Sequence, residues 1–197
     1  FQCLEFEKKH GHNGDVTRQA VLQMIELSAA LGLLLGVMLA PPCTTCSQAM
    51  FWSGFLRSKT HPWGRPGLSH QRQRKVKEAN KVLRAVIRII RICERFRIPW
   101  ILENPVQSTL WWIPFFSSLL PRTHVSRTVA DFCRFGTRWR KRTCFLSGHV
   151  ADIDLCRLRK RCQGLGGFCP HNGGRLHVQL SGRAPDGSHL TSLAEPY

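Results

Sequence analysis

Hydrophobic and polar positions along this chain fall into a few clear periods. The strongest runs from 70 to 97. Val76, Ala79, Leu83, Val86, Ile90 and Cys93 recur at spacings of three and four, which predicts one apolar stripe on a helix. Lys77, Lys81, Arg84, Arg88, Arg91 and Arg95 repeat that spacing on the nearly opposite face. A second amphipathic helix is expected over 19–31, "QAVLQMIELSAAL", opened by "GDVTR" with Thr17 or Asp15 as N-cap.

Other segments have the period or length of strands. "FQCLEFE" (1–7) alternates. "LLLGVMLA" (33–40) is wholly apolar, which suits a strand buried on both faces of a parallel sheet. "IPWILEN" (98–104), "HVSRTVADFC" (124–133) and "RTCFLS" (142–147) complete the set. Residues 51–69 hold Gly, Pro and Trp without a period and predict a long surface loop. The tail from Gly148 is rich in Gly, Cys and His. Strands alternating with helices imply an α/β fold with a mostly parallel sheet, whose chemistry sits at the carboxyl ends of the strands. "PPC" and "LENP" would both lie there.

Composition sharpens this picture. The chain has 197 residues and a formal net charge of +17, from 29 Lys+Arg against 12 Asp+Glu. Such a charge favours a polyanionic partner, nucleic acid or an anionic membrane. The longest apolar run, Leu27 to Ala40, is interrupted by Ser28, Gly32 and Gly36 and is too short to span a bilayer. The N-terminus shows no secretory pattern. Nine cysteines, an odd number scattered along the chain, predict a reducing, intracellular setting with free, catalytic or metal-bound thiols, and a nuclear one if the source is eukaryotic.

The cysteine in "VMLAPPCTTCSQAM" (37–50) follows a buried run and two prolines. A thiolate on a stiff loop at a sheet mouth is a candidate nucleophile when basic groups lower its pKa. Glu103, ending another predicted strand, is a candidate acid for the same crevice. With Cys46, Cys43 also forms a Cys-x-x-Cys pair, so a thiol-redox reading stays open.

"APPCTTCS" followed by "LENP" resembles the cytosine-5 DNA methyltransferase family. "FGTRWRKRTCFLSG" (135–148), "LEFEK" and "GDVT" resemble further family segments, so the likeness spans roughly residues 1–148. It implies a Rossmann-like catalytic core over 1–148 and a separate Cys/His-rich tail over 149–197. It implies that Cys43 attacks C6 of cytosine in DNA and that Glu103 protonates N3, with Asn104 beside it. S-adenosylmethionine would be the methyl donor, with Glu5 on the ribose, Phe6 on the adenine, Asp15 on its amino group and Pro42 lining the site. Arg140, Lys141 and Arg142 would meet the substrate or its phosphates. The basic helix face, Lys77, Lys81, Arg84 and Arg88, is a second candidate phosphate surface, against the plain reading of a solvated face.

The chain departs from the family pattern at Thr44, Cys46 and Pro105, and in the family's Gln-x-Arg-x-Arg motif the matched positions are Trp139, Lys141 and Thr143, so two arginines are lost. The family's Gly-rich first motif would precede Phe1, so the chain reads as a fragment with an exposed sheet edge and poor solubility in isolation. Two rivals follow: a catalytically silent nucleic-acid-binding remnant, or a thiol-redox protein.

The tail carries Cys156, Cys162, Cys169, His171 and His177 among glycines. Thiolates with imidazole suit Zn²⁺. The preferred ligand set is Cys162, Cys169 and His177, joined by Cys133 from a strand end. The alternative is a loop of unpaired cysteines.

Overall fold

A computed structural model describes residues 3–6, 11–12, 14–46, 54–165, 167–171 and 173–178. Two helices follow the expected periods. Helix α1 spans Gln19–Ala30, and helix α2 spans His70–Phe96. Along α2, Val76, Leu83, Val86, Ile90 and Cys93 are buried, with Ala79 half-buried at the edge of the stripe. Leu83, Val86, Ile90 and Cys93 pack with Val21, Leu22, Ile25 and Ala29 of α1 in the main core. Helix α2 ends where Arg97 takes a left-handed φ of 54°, which lets the Ile98 N–H reach the Cys93 carbonyl at 2.9 Å. The N-cap of α1 is Arg18 rather than Thr17 or Asp15. Asp15 instead closes a turn one step earlier: its Oδ1 accepts from the Thr17 N–H at 2.9 Å and hydroxyl at 2.7 Å.

The principal sheet has four strands in the order β1-β2-β4-β3, with β1 at Val37–Leu39, β2 at Trp100–Pro105, β3 at Val125–Asp131 and β4 at Arg142–Gly148. Strands β1 and β2 are parallel, with Leu39 opposite Leu102. Strand β4 is antiparallel to both neighbours, pairing Trp100 with Gly148 on one side and Asp131 with Arg142 on the other. The mostly parallel, Rossmann-like sheet expected from the sequence is therefore wrong: the sheet is mixed, with one parallel pair. The reason lies in the connections. Helix α2 carries the chain back between β1 and β2, as a parallel pair requires. A short link through a 3₁₀ turn at Phe132–Phe135 and Gly136 (φ 92°) folds β4 back along β3.

Two other expectations need correction. Residues 3–6 form no strand, while 1, 2 and 7 lie outside the described residues. The 33–40 run is not doubly buried. It narrows to the three residues of β1, an edge strand, and Met38 is 69% exposed. The expected loop, in its described part 54–69, has no helix or strand but is anchored inward by buried Leu56 and Arg57. A 3₁₀ turn at Thr109–Trp112 and helix α3 at Pro114–Leu119 close the core with Leu110, Ile113, Phe116 and Leu119.

Trp100 covers Gly148 at the end of β4, where a Cβ would run into the indole ring. The tail adds helix α4 at Asp152–Cys156 and a small antiparallel pair, β5 at Phe168–Cys169 and β6 at Arg175–Leu176. It is tied to the end of the β3–β4 hairpin by Asp131, which is fully buried. Asp131 accepts from Arg142 Nε at 3.0 Å, Arg161 Nε at 3.3 Å and the Cys162 N–H at 2.8 Å. Among the described residues no helix is long and apolar enough to cross a membrane.

Candidate functional site

Because β1 and β2 are parallel, the chain leaves both at the same edge of the sheet. This brings the Cys43 loop beside the end of β2. Asn104, itself buried, donates from Nδ2 to the Pro41 carbonyl at 3.0 Å. The Cys46 N–H closes a turn onto the Cys43 carbonyl at 2.8 Å, and the Thr109 N–H caps the Cys46 carbonyl at 2.8 Å. Arg57 clamps the same turn from below. It is 1% exposed and donates from Nε to the Thr45 carbonyl at 3.2 Å, from Nη2 to Thr45 Oγ1 at 3.1 Å and from Nη1 to the Pro62 carbonyl at 2.8 Å. A guanidinium's fixed fork suits this three-way bond.

Glu103 and Lys141 complete the crevice. Lys141 Nζ stands 3.5 Å from Glu103 Oε1 and 5.2 Å from the centre of the Phe132 ring. Both charges act on Cys43. Burial pushes the Cys43 thiol up, Glu103 pushes it further, and Lys141 pulls it down without cancelling the rise. Buried polar atoms lie unused here: Asn104 Oδ1, Thr109 Oγ1 and Thr143 Oγ1 make no hydrogen bond. Such orphans cost free energy unless a ligand satisfies them. Cys46, by contrast, is 1% exposed.

The other expected site residues are dispersed. Glu5 is exposed, Phe6 packs partly against the core and Pro42 is exposed. Arg140 and Arg142 stand beside Asp131, at 3.6 and 3.0 Å. On α2, Lys77 is exposed, Lys81 pairs with Glu78 at 2.8 Å, and Arg84 lies over Trp63 at 5.7 Å. Arg88 is bonded to Gln19 Oε1 at 2.6 Å. With Thr17, Leu22 and Ala85, the last three line an open groove between α1 and α2.

Cys133, Cys162, Cys169 and His177 do meet, their ligand atoms all lying within 4.8 Å of one another. Burial and the neighbouring thiols push Cys133 up to about 12. Cys162 goes the other way: burial opposes ionisation, but the Gly164 N–H, the two thiols and Arg140 outweigh it. Cys156 and His171 are exposed and outside the cluster.

Sequence reading missed two features. Arg57 looked like any loop arginine, and only its depth reveals its role. Glu94, His124 and His149 come together from three segments with no spacing to signal it. His124 Nε2 is 2.9 Å and His149 Nε2 3.4 Å from the Glu94 carboxylate, with the two imidazoles stacked at 4.2 Å. Arg122 and the Trp100 indole N–H also bond Glu94.

No family model, curated protein or solved structure matches this chain.

Proposed function

We propose that this chain adds Cys43 to C6 of cytosine in nucleic acid, the activating step of the cytosine-5 DNA methyltransferase chemistry its motifs resemble. The observation that carries this reading is the convergence of Cys43, Glu103 and Lys141 at the ends of two parallel strands, beside unsatisfied polar atoms.

The chemistry balances on these groups. Cys43 is protonated at rest, because burial outweighs Lys141. Glu103 takes the thiol proton, the sulfur forms a bond to C6, and the C5=C6 electron pair moves toward N3. N3 then receives the proton from Glu103, leaving C5 electron-rich. A nucleic-acid phosphate competes for Lys141 and so releases the Glu103 carboxylate. The base must leave its stack first, at a cost of about a few kcal/mol in a duplex. The overall +17 charge supports that partner.

S-adenosylmethionine would supply the methyl group when bound, and Glu5, Phe6, Asp15 and Pro42 are the residues that would hold it. Asp15 spends Oδ1 on Thr17, Glu5 is exposed on a segment without regular structure, and Phe6 packs against the core. The addition of Cys43 to C6 uses none of these residues.

The test is covalent trapping on DNA carrying 5-fluorocytosine in the presence of S-adenosylmethionine, because the Cys43 adduct becomes irreversible only once C5 has taken the methyl group and fluorine blocks the elimination that would release the thiol. A denaturation-resistant complex is expected for the wild type and none for Cys43→Ser. Salt-sensitive DNA binding without a complex would favour the second reading, a silent nucleic-acid-binding protein, which the raised thiol pKa and the Lys141–Glu103 pair also suit.

A further inference from the structure

We propose that Cys133, Cys162, Cys169 and His177 bind one Zn²⁺ ion that fastens the tail to the β3–β4 hairpin. The site is independent of the chemistry proposed for Cys43.

The spacing of the donors fits a tetrahedral ion. Bonds of about 2.3 Å to sulfur and about 2.0–2.1 Å to nitrogen, at the tetrahedral angle, set sulfur–sulfur edges near 3.8 Å and sulfur–nitrogen edges near 3.6 Å. Cys162 Sγ lies 3.9 Å from Cys169 Sγ and 3.6 Å from His177 Nε2.

Groups around the donors fix their orientation. His177 Nδ1 lies 2.6 Å from the Gly167 carbonyl, so Nδ1 carries the proton and Nε2 keeps its lone pair toward the thiols. The Gly164 N–H points at Cys162 Sγ at 3.5 Å. Gly164 cannot be replaced without moving the loop, since a Cβ would run into the Phe168 carbonyl oxygen. The chain is thus drawn in tightly between two of the ligands.

The packing points the same way. Among the described residues, Cys133, Cys162 and Cys169 make a separate buried cluster with no other buried hydrophobic residue in it. Three thiols bury too little apolar surface to order a glycine-rich segment, whereas a metal bond set supplies that ordering directly. Three buried cysteines and one half-buried histidine, four donors in all, form a closed structural zinc set rather than a catalytic one with an open position. Cys133 comes from the 3₁₀ turn after β3, and the other three come from the tail. The ion would therefore reinforce links already visible, Arg140 Nη2 to the Cys162 carbonyl at 2.8 Å and the Val178 N–H to the Arg138 carbonyl at 2.9 Å.

The experiment uses the full chain purified from zinc-supplemented medium, with metal content measured by plasma mass spectrometry and intact mass under native conditions. One zinc per chain is expected. Exchange with Co²⁺ should give the visible bands of a tetrahedral ion with sulfur-to-cobalt charge transfer. Cys162→Ser, Cys169→Ser and His177→Ala should each lose the bound equivalent, while Cys156→Ser, at an exposed cysteine outside the cluster, should keep it. Because a ligand variant can also misfold, thiol labelling of the wild type is read alongside: a chelator should expose three more reactive cysteines. A wild-type chain without zinc and without a cobalt spectrum overturns the proposal. So does metal retained by the Cys162→Ser/Cys169→Ser double variant, or an intact mass showing a Cys162–Cys169 disulfide.

Discussion

Asn104 Nδ2 donates to the Pro41 carbonyl at 3.0 Å, joining the end of β2 to the loop that carries Cys43. Both residues are buried, so the bond is made out of water. Asn104→Ala leaves the Pro41 carbonyl without this donor and should cost about 1–3 kcal/mol of stability. Chemical denaturation checks the cost. Alkylation of Cys43 by iodoacetamide under native conditions should become faster, because the loop is no longer pinned at Pro41.

Arg57 holds the other side of that turn through three acceptors. Arg57→Met keeps much of the packing of the side-chain stem and removes the bonds. A loss of about 1.5–3 kcal/mol is expected, read as a lower denaturation midpoint. An exposed loop arginine would give almost none.

The charges around Cys43 make opposite predictions for its titration. Lys141 lowers the thiol's pKa and Glu103 raises it. In a pH profile of Cys43 alkylation, Lys141→Met should move the midpoint upward and Glu103→Gln should move it downward. The wild-type midpoint should lie above that of an ordinary thiol, because burial is the largest influence. Equal midpoints in all three proteins would mean that neither group faces the thiol.

Asp131 gives an acid-side prediction. Burial raises its pKa, but hydrogen bonds from Arg142 and Cys162 and the charges of Arg142 and Arg140 outweigh it and lower the value. The folded carboxyl thus titrates below the unfolded one, whose pKa is about 3.9. Its contribution is fully present above that unfolded value and is lost as pH falls through the folded pKa. Asp131→Asn should remove this acid dependence. At neutral pH it should lower the denaturation midpoint, by less than the loss of a fully buried pair would, because Arg140, Arg142 and Arg161 are 33%, 42% and 49% exposed and water takes over part of the lost pairing.

Parts of this were legible in the sequence for definite physical reasons. The α2 stripe was, because Leu83, Val86 and Ile90 repeat at the period of a helix whose one face is buried. The pairing of Cys43 with Glu103 was read from motif order, and the parallel β1–β2 pair puts both at one sheet edge. Strand direction was not legible: the apolar positions of β3 and β4 read the same in either sense, and only the short turn through Gly136 sets it. The depth of β1 was misjudged because Met38 is apolar yet sits on an edge. Cys162, Cys169 and His177 were candidates by composition and proximity. Their meeting with Cys133 depends on the hairpin and on Asp131, which no local pattern announces.

The most direct test of the central claim follows the C5 hydrogen of cytosine. Addition of Cys43 at C6, with N3 protonated, makes C5 electron-rich, so its hydrogen exchanges with water without any methyl donor. Tritium release from DNA carrying [5-³H]cytosine should be catalysed by the wild-type protein, abolished in Cys43→Ser and strongly reduced in Glu103→Gln. Binding of that DNA with no tritium release above the Cys43→Ser background would contradict the account.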